Sequence, residues 1–351
     1  SDWYYYVHLL QIWLLIWMSS HGFMAGSWTF IYSGVANINR ILQTVGELNP
    51  APSNIASIQA ELKTLRAYYY FQALDLFGNV PVVENYETDL TTVVNKPRAE
   101  VFAFVEKELK ENLPNLSAAV DGSTYGRVTQ WFAQALLAKL YLNAEVYTGT
   151  PKWNECIAAC DAVINSGKYT LEPIFFDNFK VANEASKENI FCIPFDESKG
   201  LGGLNFQMQT LHYQSNETFA MGASPWNGFC TVADFYNQFD AADKRRDMFL
   251  VGQQYSISGQ PLKDKQIDKP LIFNPVVSKI QSSDGDFRMA GARSIKYYPT
   301  ANTGGGMNND FAVFRLADII LMKAEAQLRG GAGNPVATLN YQSNGVSIRS
   351  R

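Results

Sequence analysis

Between positions 27 and 167 apolar residues recur every three or four positions, in segments cut apart by proline and glycine. That pattern admits little except stacked α-helices. Ile31, Val35, Ile38, Ile41 and Leu42 mark a first helix over residues 27–48, and Pro50, Ala51 and Pro52 interrupt it. Ser53 or Asn54 stands where a second helix needs a cap. That helix runs to Phe77 on a stripe of Ile55, Ile58, Leu62, Leu65 and Tyr69, and Gly78 is placed to end it. Residues 80–83 read as a short extended piece. Pro97 opens a third helix reaching Leu113. The clearest helical pattern covers 129–147, and another over 153–165 is closed by Gly167. Small residues such as Ala133, Ala135, Ala138, Ala158 and Ala159 fall at the expected contacts. The pair over 129–167 has the length and pattern of a tetratricopeptide unit without its full signature. Such pairs cannot bury their apolar faces alone and stack into a curved array.

The second half reads differently. Residues 167–307 are loop-rich, with strand-like pieces at 190–195, 272–277 and 295–298 and one helix at 231–239. Helical order returns at 311–328, where Leu316, Ile319, Ile320, Lys323 and Ala324 repeat, and Gly330 and Gly331 stop it. The expectation is a mainly α chain: a tetratricopeptide-like helical-repeat scaffold over 20–170, an irregular loop-rich ligand lobe over 171–307, and a returning scaffold helix over 308–331, in one domain.

Composition narrows the function. A net charge of −4 gives no electrostatic footprint for nucleic acid, so no nucleic-acid partner is expected. The 22 Phe, 18 Tyr and 7 Trp supply a large core first, and stacking platforms or a partner surface second. Trp28, Trp131 and Trp153 sit at apolar helical positions and are expected in the core. Cys156 and Cys160 lie one helical turn apart with no histidine nearby, which fits two small core residues better than metal ligands. His8, His21 and His212 form no metal-binding spacing, and no nucleophile elbow is present. Asp234 and Asp240 read as surface groups. The glycine-rich spots at 200–203 and 304–306 lack a phosphate-cradling form. No catalytic residue, metal or cofactor is therefore expected, and the chain reads as a non-enzyme. Residues 3–18 are almost continuously apolar, but the run is slightly short for a span and includes His8 and Gln11. A buried aromatic segment is the expectation there.

Three stretches carry a family likeness. The first begins Leu65-Arg66-Ala67-Tyr68-Tyr69-Tyr70 and continues through Asp75-Leu76-Phe77-Gly78-Asn79-Val80-Pro81. The second is Gly126-Arg127-Val128-Thr129 followed by Ala135-Leu136-Leu137-Ala138-Lys139-Leu140. The third is Phe314-Arg315-Leu316-Ala317-Asp318-Ile319-Ile320, running on to Lys323-Ala324-Glu325-Ala326. In this order they resemble the SusD/RagB family of nutrient-binding lipoproteins. Asn37–Arg40 and Asp243–Arg246 resemble weaker family positions. Members usually run longer and continue past the third stretch, so the chain is expected to be incomplete at both ends.

The resemblance implies a function. A protein of this family is tethered by an N-terminal lipid to the outer membrane, facing the cell surface. It captures glycan or peptide and acts as a lid over a TonB-dependent SusC-like transporter. The resemblance also implies a stacking aromatic in the loop before the helix at 231–239. There the sequence Met221-Gly222-Ala223-Ser224-Pro225-Trp226-Asn227-Gly228-Phe229 offers Trp226, Asn227 and Phe229 as ligand-binding residues. Aromatic rings stack on sugar C–H faces, and an amide bonds the hydroxyl rim. The alternative for Trp226 is a loop anchor buried on the core. Trp3 lies near the family's other aromatic contributor. A third family aromatic falls in 200–206, where this chain has Leu201, and that departure points to a ligand other than starch. Two rival readings are a helical-repeat adaptor for proteins and a glycan-cleaving enzyme.

Overall fold

The computed structural model describes residues 21–279, 283–343 and 345–347. The aromatic run over 3–18 lies outside them. The chain divides into two compact units, Ser1–Asn165 with Leu321–Pro335 and Ser166–Ile320 with Val336–Arg351. The described residues are mainly α-helical, as the apolar periodicity requires.

The first unit contains α1 (Gly22–Gly46), α2 (Ile55–Phe77), α3 (Arg98–Asn112), α4 (Gln130–Leu142), α5 (Ala144–Thr148) and α6 (Trp153–Ile164). Sequence neighbours pack together: α1 on α2, α2 on α3, and α4 on α6. Tyr70, Leu74, Leu109, Phe132, Leu136 and Leu140 are fully enclosed, each burial contributing about 1.5–3 kcal/mol. Close approach of α1 to α2 depends on Gly34, where a Cβ would lie 2.5 Å from Cζ of Tyr69. A short antiparallel pair, β1 (Val80–Pro81) with β2 (Asn95–Lys96), follows α2.

Several helix ends follow local chemistry. Thr129 caps α4, its hydroxyl accepting from the Phe132 amide at 3.3 Å, and Gly78 ends α2 at φ +74°. Three expectations are corrected. Asn54 sits at the α2 N-terminus, but its side chain makes no capping bond. The helix expected over 129–147 breaks at Asn143, whose side-chain amide donates back to the Lys139 carbonyl at 3.0 Å and competes with the helical ladder. Trp28, expected in the core, packs on Tyr32 and Phe77 yet stays 36 % exposed.

The family stretches supply scaffold joints. Arg66 is buried on α2. It makes a two-pronged pair with Glu108 of α3 at 2.8 and 2.7 Å, and it donates to Asn39 of α1 and to the Glu84 carbonyl, both at 2.7 Å. One guanidinium thus ties three helices and the chain leaving α2. The Tyr70 hydroxyl bonds both the amide and the carbonyl of Val83. Asp75 accepts from the Tyr147 hydroxyl, and Arg127 pairs with Glu61. Lys323 pairs with Asp161 at 2.6 Å.

The second unit holds short elements joined by long loops: β3 (Asn189–Ile193), α7 (Phe206–Thr210), α8 (Ser215–Phe219), α9 (Ala233–Tyr236), then β4 (Phe249–Leu250), β5 (Gly252–Gln253), β6 (Lys263–Asp264), β7 (Lys269–Pro270), β8 (Ile272–Phe273), β9 (Arg293–Ser294) and β10 (Phe311–Arg315). The strands named here pair antiparallel, β3 with β10, β4 with β9, β5 with β8 and β6 with β7, and an isolated bridge joins Asn274 and Ala290 in parallel. Small apolar clusters pack this unit, among them Met208, Leu211, Phe219, Met221 and Ile295, and a second of Leu262, Leu271, Phe273 and Met289.

Here too the structure corrects the sequence reading. Helical order was expected from residue 311, but 311–315 is strand β10 against β3. The helix α10 (Leu316–Leu328) starts only where Asp318 accepts from the Arg315 amide at 2.9 Å. Pairing across a long sequence gap overrides the local period. The helix expected at 231–239 is reduced to α9. The strand expected at 272–277 ends at Phe273, and the one expected at 295–298 lies at Arg293–Ser294 instead. The two glycine-rich spots meet each other: a Cβ on Gly203 would lie 2.6 Å from Cα of Gly306, beside the Leu204–Met307 bridge.

Candidate functional site

The loop at 221–230 is held by helix α7. The carbonyls at the end of so short a helix lack intrahelical partners, and the loop supplies them. The Trp226 amide donates to the Met208 carbonyl at 2.7 Å, Asn227 to Leu211 at 2.9 Å, and Phe229 to Gln209 at 2.7 Å. Gly228 is required by this approach, because a Cβ there would sit 2.7 Å from the Gln209 carbonyl oxygen. Asn227 takes φ +55°, a left-handed conformation that asparagine tolerates better than most residues. Pro225 is buried, the Ser224 hydroxyl donates to the Tyr213 carbonyl at 2.7 Å, and the Gly222 amide donates to Thr303 at 2.8 Å.

The backbone is therefore fixed while two rings project. Trp226 is 49 % exposed and Phe229 is 51 % exposed. Pro225 and the backbone bonds do the anchoring that a buried Trp226 would have done. Asn227 faces inward: its side-chain amide donates to the Arg288 carbonyl at 3.0 Å, and its Oδ1 is buried without a hydrogen-bond partner. Leu201 is half exposed. Trp3 lies outside the described residues.

Beneath the loop is a polar network that no sequence motif announced. His212 and Asp264 are both fully enclosed, with Nε2 3.1 Å from Oδ2. The imidazole Nδ1 accepts from the Gln214 amide at 3.2 Å, so Nε2 carries the proton and donates to Asp264. Arg288 pairs with Asp264 through Nε at 2.6 Å and lies over the Tyr213 ring. The Arg288 carbonyl accepts both the Asn227 amide and Nη2 of Arg293. Burial, with the charges of Arg293 and Arg288, pushes the imidazole down to about 4 against the pull of Asp264. Burial alone would raise the Asp264 carboxyl, but the hydrogen bonds from Arg288 and from the Gln266 amide hold it below the usual carboxylate range. The one legible signal was local: Asp264 follows Lys263, and successive side chains of a strand point to opposite faces, as they do in β6. With no exposed surface, this pair holds the loop and offers nothing to a substrate.

Among the described residues no cluster of His, Cys, Asp and Glu is arranged to hold a metal, and no helix is long and apolar enough to cross a membrane. Cys156, Cys160 and Cys192 are buried, and Cys230 is exposed.

Comparison with known proteins adds an independent line. The SusD-like family described as starch-binding and associating with the outer membrane matches residues 4–142. The starch-binding protein SusD of Bacteroides thetaiotaomicron is 32 % identical over an alignment of 316 positions that covers 80 % of this chain and 56 % of that protein. A SusD superfamily protein from Parabacteroides distasonis superposes with a TM-score of 0.74 at 22 % identity, covering 94 % of this chain and 68 % of the other. A laminarin-binding SusD-like protein superposes at 0.70 and 21 % identity, covering 95 % and 77 %. The chain spans about half the length of the curated relatives it matches. Its three family stretches, the helical joints they build and these matches agree, and the chain belongs to the SusD-like family.

Proposed function

We propose that this protein captures a glycan at the cell surface by stacking it on Trp226 and Phe229, and passes it as a lid to a TonB-dependent SusC-like outer-membrane transporter. The observation that carries the reading is the pair of half-exposed rings on a loop whose backbone is pinned at Trp226, Asn227 and Phe229. A preformed platform loses little conformational entropy when a sugar ring stacks on it. Relatives named for binding starch and laminarin support a glycan as the ligand. The family's association with the outer membrane supports tethering there by an N-terminal lipid. The work is binding and release, with no bond made or broken.

The test is calorimetry of the purified protein against malto- and laminari-oligosaccharides, with short peptides alongside. Trp226→Ala and Phe229→Ala are each expected to weaken saccharide binding about tenfold or more, as loss of a stacked ring implies, with no sugar product released. Saccharide binding indifferent to both substitutions would remove the loop from the site. A peptide signal without a saccharide signal would replace the ligand.

A further inference from the structure

The second unit has an open groove of about 560 Å³ in the hairpin that contains β6 and β7. Pro261 and Leu262 contribute carbon to its lining, and Leu262 is itself rooted in an apolar cluster. Ser256, Ser258 and Gln260 also line it and turn back on themselves, the two serine hydroxyls 2.9 Å apart. So do two ion pairs, Lys263 with Asp268 at 3.1 Å and Lys265 with Glu217 of α8 at 2.7 Å. Two cations against two anions leave no net field to draw an ion. What remains is a dense set of donors and acceptors beside apolar carbon, a lining that suits the hydroxyls and C–H face of a neutral pyranose.

The groove is fixed to the aromatic loop by two routes within the same unit. Strand alternation in β6 turns Lys263 to the groove and Asp264 inward, where Asp264 binds Arg288, and the Arg288 carbonyl holds Asn227 between Trp226 and Phe229; Lys265 reaches the groove from the turn that follows β6. Helix α8 supplies the second route. Glu217 faces the groove, its carbonyl accepts from the Ile257 amide at 2.9 Å, and the Met221 amide that starts the loop donates to Asn216 at 2.9 Å. We infer that this groove is a further saccharide subsite, which takes additional neutral sugar residues of the same chain that stacks on Trp226 and Phe229. The inference rests on the glycan reading above. The subsite gives the protein a preference for long oligosaccharides over disaccharides.

The test compares maltose with maltohexaose and laminaribiose with laminarihexaose by calorimetry. It uses the wild type, the double substitution Ser258→Ala with Gln260→Ala, and Ser258→Leu, which fills the groove from an exposed turn. Two or three hydrogen bonds to the added sugars correspond to roughly a tenfold preference for the hexasaccharide in the wild type. Both variants should bring that ratio close to one, with circular dichroism unchanged. A ratio that stays at the wild-type value in both variants overturns the groove and leaves the aromatic loop standing. Absence of any saccharide binding by the wild type overturns the glycan reading and the groove with it.

Discussion

His212 makes the second unit acid-sensitive in a window set by one side chain. Its imidazole is fully enclosed, donates to Asp264 and accepts from the Gln214 amide, so protonation at Nδ1 would destroy one bond and place a charge beside Arg288 and Arg293. The folded value near 4 lies below the unfolded 6.5. Between the two the unfolded chain binds the extra proton and the folded chain does not, so stability is complete above about 6.5 and is lost as pH falls toward 4. The whole drop corresponds to about 3 kcal/mol, of which about 2 kcal/mol is gone by pH 5. Hydrogen exchange at the Asn227 and Phe229 amides, corrected for intrinsic rate, reads the opening free energy of the loop this network holds. Urea unfolding at matched pH reads the whole unit. His212→Gln can still donate to Asp264 but does not titrate. It should lack about 2 kcal/mol of the wild-type change between pH 7 and pH 5. Equal pH dependence in the two proteins would refute the argument that the buried imidazole stays neutral.

Two further predictions concern the scaffold and the loop. Arg66→Met takes the guanidinium away from the buried Glu108 carboxylate and from Oδ1 of Asn39 and should cost about 3–5 kcal/mol in urea unfolding, while adding Glu108→Leu should recover most of it, because an apolar pair replaces a buried ion pair well; no recovery would mean the pair's charge is not what matters. Gly228→Ala forces a Cβ to within 2.7 Å of the Gln209 carbonyl and should speed exchange at the Phe229 amide and weaken saccharide binding, and unchanged exchange would show that the loop is not clamped to α7.

What local chemistry could specify was legible in the sequence. The apolar period placed α1 to α4 and α6, Thr129 and Gly78 marked helix ends, and the family stretches were visible because Arg66 and Asp75 on α2, Arg315 just before α10 and Lys323 within it stand at fixed offsets. The loop bearing Trp226 and Phe229 was also visible as a loop, from its glycine and proline. Its exposure was not, because whether a ring faces solvent depends on which carbonyls of α7 receive the backbone beside it. The sequence likewise could not show that 311–315 would leave the helical period for a partner strand more than a hundred residues earlier. Nor could it show that His212, Asp264 and Arg288 would meet beneath the loop. Those contacts join residues far apart in the chain, and their energies exist only once the chain has closed on itself; tertiary structure alone decided them.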